Sequence, residues 1–151
     1  MDPQSLFGIC NLAAMVGWLI LILSRYIKIA DIIIQKGIIP ILLSLVYLYL
    51  IIGFFGSSEG GFGSIEEVRQ LFQSDHALLA GWVHYLAFDL WLGCWELGDA
   101  RKNGVPHLLL IPCFFLTFMF GPIGLLTYLL IRTIITKKVF AHDHFRFSQK
   151  A

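Results

Sequence analysis

Four apolar runs divide the chain, and their lengths dictate what they form. The first, Leu6–Leu23, is broken only by Asn11 and small residues. Its 18 residues reach about 27 Å as a helix, close to the thickness of a bilayer core. The second, Ile38–Phe55, carries Pro40 in its first turn, where a missing N–H is harmless. The third, Ala77–Leu97, contains His84, Asp89 and Glu96. The fourth, His107–Arg132, has 26 residues, about 39 Å as one helix, so it is expected to tilt, kink or project. Pro112 and Pro122 lie inside it and favour kinks, freeing the carbonyls of Leu108 and Phe118. Thr117 or a water is placed to compensate them. Between the second and third runs, Ser64–Ser74 reads as a short amphipathic helix on the membrane surface. Ser64 and Glu67 form a capping box, and Ile65, Val68, Leu71 and Phe72 share one face.

Composition turns this pattern into a class. Of 151 residues, 58% are hydrophobic and 14% charged, and the mean hydropathy is +0.78. Soluble chains carry about 25% charged residues. A soluble domain, a disordered region and a nucleic-acid binder are excluded, the last also because the net charge of +1 offers no basic field. The expected architecture is an all-α integral membrane protein, with four transmembrane helices over residues 1–136 and a basic polar tail over 137–151. Met1–Ser5 has no Lys or Arg, so the first run is expected to be a span rather than a signal peptide. With four spans, loops one and three hold Arg25, Lys28, Lys36, Arg101 and Lys102. The opposite side holds Arg69, Arg132, Lys137, Lys138, Arg146 and Lys150. That balance gives no orientation. The uncharged start of the first helix alone puts loops one and three in the cytoplasm.

The third run carries the chemistry. On a helical wheel Gly81, Tyr85, Asp89, Leu92, Glu96 and Asp99 form one stripe, within about 40° of Tyr85. Beside it run His84, Phe88, Trp91 and Trp95. Val83, Leu86, Ala87, Leu90 and Cys94 occupy the other side, suited to lipid. A carboxylate at bilayer depth costs at least about 2.5 kcal/mol and needs a reason. For Asp89 that reason is either proton transfer in a bundle cavity or a polar clasp to Asn11, Ser44, Tyr47 or Thr117. Glu96 has the same choice, with Arg101 or Lys102 as a plain partner, while Asp99 reads as an interfacial charge. His84 is either a proton carrier or a single interhelical donor. Trp82, Tyr85, Phe88, Trp91 and Trp95 are the candidate ligand-binding aromatics, with helix packing and an interfacial belt as the alternative. Cys10, Cys94 and Cys113 read as packing residues without metal or redox spacing. His142-Asp143-His144 reads as a solvated tail, and no metal site emerges.

Several stretches are distinctive as words. They are Gly81-Trp82-Val83-His84-Tyr85-Leu86-Ala87-Phe88-Asp89-Leu90, Asp99-Ala100-Arg101, Pro106-His107, Ile111-Pro112-Cys113, and Leu116 through Leu126 with its Phe-Gly-Pro-x-Gly-Leu core. Together with Asn11 and Gly17-Trp18-Leu19-Ile20-Leu21, they resemble the abscisic-acid-deficient-four-like membrane family over nearly the whole chain. Plant plastid members of that family are associated with neoxanthin synthesis. The resemblance implies a small four-helix membrane protein that acts on or binds a carotenoid or other isoprenoid.

Epoxide-to-allene isomerisation needs an acid at the opening epoxide and a base at a nearby polyene carbon, and no cofactor beyond the bound carotenoid itself. Asp89 would be the acid and Glu96 or His84 the base. Asp89 and Glu96 stand about 10 Å apart along the axis, so they must lean together or share a water. The alternative is a non-catalytic pigment-binding or accessory subunit of a larger, photosynthetic membrane complex or a homo-oligomer. A proton-coupled transporter is a third reading. Without a transit peptide, a bacterial cytoplasmic or photosynthetic membrane is the expected location.

Overall fold

The computed structural model describes residues 2–54, 56 and 59–137. Phe55 at the end of the second run and the tail beyond Lys137, with His142 and His144, lie outside the described residues. Among the described residues every regular element is an α-helix: α1 Pro3–Leu23, α2 Lys28–Gln35, α3 Ile38–Phe54, α4 Ile65–Leu71, α5 Asp75–Asn103, α6 His107–Phe120 and α7 Pro122–Thr136. Three stretches are long and apolar enough to cross a membrane: Pro3–Leu23, Lys28–Phe54 and Asp75–Asn103.

Caps explain why the helices outrun the apolar runs. Asp2 accepts from the Ser5 N–H at 3.0 Å, and Pro3 tolerates the first turn, so α1 begins before Leu6. The 29 residues of α5 extend past both ends of their apolar run. Asp75 in the first turn and Arg101 and Lys102 in the last complement the helix dipole. Gly104, at φ +68°, ends α5. The connection after α1 contains an element not expected from the pattern. There α2 buries Ala30 and Ile34, one turn apart, before Gly37 turns the chain into α3. The cap of α4 is as expected on one side, with the Glu67 N–H donating to Ser64 Oγ at 3.2 Å. The returning Glu67 carboxylate instead accepts from the Gly63 N–H at 3.0 Å, one residue earlier.

The fourth run is not one helix. Pro112 is absorbed inside α6, but the chain breaks at Gly121, whose φ is +48°, and restarts at Pro122 as α7. Thr117 does not compensate the prolines through its hydroxyl, which donates to Glu96 instead.

The chain forms two compact units, one ending at Trp95 and the other beginning at Glu96. In the first, α1 packs on α2, α3 and α5. Gly17 lies against Leu90 and Gly93 against Trp18, so small residues admit large ones. This overturns the expected lipid side of α5. Val83, Leu86, Ala87 and Leu90 are buried, whereas Trp82, Phe88, Trp91 and Trp95 are exposed. The physical reason is that a bilayer accepts apolar side chains on any face, so close packing decides, and the small-residue face packs best. In the second unit α6 and α7 pack on one another, with Leu110, Cys113, Phe114 and Tyr128 at its core.

Candidate functional site

The exposed aromatic face of α5 borders a groove of about 480 Å³ in the first unit. Its walls are Pro40, Leu45 and Leu48 of α3 and Ala87, Phe88 and Trp91 of α5, with Ser44 and Tyr47 as its hydroxyl-bearing residues. The volume falls in the ordinary range for small-ligand sites, and the lining is mostly apolar, as such sites require. Ser44 Oγ donates to the Pro40 carbonyl at 2.8 Å. His84 stacks on Phe88 with ring centres 4.6 Å apart and lies 5.4 Å from the Tyr47 ring. The imidazole therefore stands beside two groove residues, one turn before Phe88 on the same helix.

Trp82 is drawn away from that face. Its indole N–H donates to Asn11 Oδ1 at 3.0 Å, and its ring packs near Phe7 and Tyr85. Asn11 in turn donates to the Phe7 carbonyl at 2.8 Å. Asn11 is thus a clasp, as its polar character within an apolar run implied, but its partner is Trp82.

Asp89 is buried midway along α5 and does not line the groove. It shares a side-chain hydrogen bond with Tyr85, four residues earlier. Its Oδ2 has no hydrogen-bond partner among the described residues. Of the clasp partners expected for it, Asn11, Ser44 and Thr117 are engaged elsewhere.

The second unit holds a buried polar cluster of its own. Thr117 donates to Glu96 Oε1 at 3.0 Å, and both residues are fully buried. Arg132 Nε lies 2.9 Å from Asp99 Oδ2, and the Tyr128 hydroxyl donates to the same oxygen at 2.5 Å. Asp99 is only 3% exposed, a buried member of an ion pair rather than the solvated charge expected of it. The correction has a simple cause: a cation from α7 reaches it. Glu96 likewise takes Thr117 as a partner, while Arg101 and Lys102 are exposed. Tyr128 and Arg132 were not expected from the sequence. The available signal was Arg132 itself, a cation ending an apolar run and therefore needing a carboxylate.

The arrangement of these words along the chain is diagnostic: residues 5–128 match the family model described as ABA DEFICIENT 4-like. The chain belongs to this family. No curated protein and no solved structure matches it. In this ABA DEFICIENT 4-like protein the match spans the groove, Asp89 and four members of the buried cluster, Glu96, Asp99, Thr117 and Tyr128. Among its described residues no three His, Cys, Asp or Glu side chains gather as a metal site needs. The residues near the groove can offer aromatic faces, hydroxyls and one imidazole. Those suit a long apolar ligand bearing few oxygens.

Proposed function

We propose that the protein holds a carotenoid-class isoprenoid along the α3–α5 groove and isomerises it by proton transfer through His84. The observation that carries this reading is the groove itself, a mostly apolar cleft between two helices long and apolar enough to cross a membrane, with His84 packed against Phe88 and Tyr47. A polyene dissolved in lipid enters such a groove sideways without leaving an apolar medium. An epoxide-to-allene conversion is redox-neutral. The epoxide C–O bond opens, its oxygen gains one proton, and a neighbouring polyene carbon loses one. One imidazole beside the ligand supplies acid–base capacity of the required kind. The family's association with neoxanthin synthesis in plants supports the substrate class.

A second reading is pigment holding without chemistry. It is favoured by the position of Asp89 outside the groove lining and of Glu96 in the packed interior of the second unit. One experiment separates the two. Pigment profiles of a deletion strain complemented with the native chain or with His84→Gln are compared with the pigment that co-purifies with each. The isomerase reading expects the native chain to restore the profile and His84→Gln to bind pigment without restoring it. An unchanged profile on deletion, with pigment still co-purifying, leaves the holder.

A further inference from the structure

We propose that α6 and α7 form a re-entrant hairpin, so that the chain crosses the membrane three times. The end of α7 then returns to the face from which α6 entered. The first support is length. The helices contain 14 and 15 residues, about 21 and 23 Å, short of a hydrocarbon core of about 30 Å.

The second support is direction, and Asp99 sets it. Thr117 of α6 lies beside Glu96 of α5. If α7 carried on along the course of α6, Arg132 would stand about 22 Å beyond that level. Instead Arg132 reaches Asp99, less than one turn along α5 from Glu96, and Tyr128 reaches the same carboxylate. The chain must therefore turn back after Thr117. Gly121 makes the turn at positive φ, and its N–H donates to the Thr117 carbonyl at 2.8 Å. Gly124 then passes so close that a Cβ there would collide with the Thr117 backbone. The turn itself is buried at Gly121, while Phe120 and Ile123 beside it are exposed and apolar. Irregular backbone at membrane depth is tolerated only under such protein cover.

The third support is charge, and it is independent of the coordinates. Four spans divide the Lys and Arg residues five against six. Three spans with a hairpin place Arg25, Lys28, Lys36, Arg101, Lys102, Arg132, Lys137, Lys138, Arg146 and Lys150 toward one side and leave Arg69 alone on the other. That asymmetry is the positive-inside pattern, and it assigns the charged side to the cytoplasm. The start of α1 and the α3–α5 connection then face outward.

The test uses the full chain. The eleventh strand of a split fluorescent protein is attached to either terminus, with the complementing fragment expressed in the cytoplasm. The hairpin expects fluorescence from the C-terminal tag and background from the N-terminal one. Two bright or two dark tags mean an even number of crossings and overturn the proposal; the reverse pattern overturns the cytoplasmic assignment. A second measurement avoids terminal tags. In a chain with Cys10, Cys94 and Cys113 changed to Ala, Glu59→Cys and Lys137→Cys are treated with an impermeant maleimide. Glu59→Cys should react in intact cells and Lys137→Cys only after permeabilisation. Equal reaction in intact cells refutes the hairpin.

Discussion

Single residues in this protein differ most in what holds them. Asp89 bonds Tyr85, and among the described residues its buried Oδ2 has no hydrogen-bond partner. Asp89→Asn keeps an acceptor for Tyr85 and is expected to preserve both folding and pigment retention. Asp89→Leu strands the Tyr85 hydroxyl and should lower stability by about 0.6–2 kcal/mol, read from thermal unfolding in detergent. Thr117→Val removes the donor to a fully buried Glu96 and should cost about 1–3 kcal/mol in the same assay. At this scale the sequence told which positions were exceptional. Asp89, Glu96 and Asn11 stand out because a bilayer makes polar atoms costly. The distant partners were not legible, since Thr117 lies 21 residues from Glu96, Trp82 lies 71 from Asn11 and Tyr128 lies 29 from Asp99. Only the fold closes such separations.

At the scale of elements, the wheel grouped the α5 side chains correctly but turned the helix over. Hydrophobicity ranks faces against water, and here the competitor is lipid, which is as apolar as a protein core. Residue size was the better guide: Gly17, Ala87 and Gly93 mark the packed side. The same logic makes Gly124 decisive for the α6–α7 pair. Gly124→Val should abolish a monodisperse peak in detergent chromatography, while Gly53→Val, where nothing lies within 4 Å of the position, should leave it unchanged. The ion pair adds a different kind of hold. Arg132→Met alone leaves Asp99 buried without its cation and is expected to cost about 3–5 kcal/mol. Combining it with Asp99→Leu should recover part of that loss. The recovered part, in a double-mutant cycle of unfolding midpoints, measures the coupling.

For the whole molecule, four runs were legible as apolar helical segments, three of them long enough to cross a membrane, and the fourth was legible as irregular. Its reversal was not, because Gly121-Pro122 reads equally as a kink or a turn until Asp99 and Arg132 are seen together. The groove between α3 and α5 was unreadable for a related reason, since it needs two helices set side by side. The pigment-holding role proposed for it has a direct check. Trp91→Ala widens the groove and should reduce co-purifying pigment severalfold, whereas Trp95→Ala, outside the lining, should not. The buried ion pair also bears on biogenesis. Alone, α7 is a short segment with a cation near its end, a poor candidate for release into lipid. It becomes acceptable there once Asp99 is already in place to receive Arg132. Membrane integration of the last segment should therefore wait on the preceding one, and a ribosome-stalled chain carrying Asp99→Leu should leave α7 accessible to protease while α5 is protected.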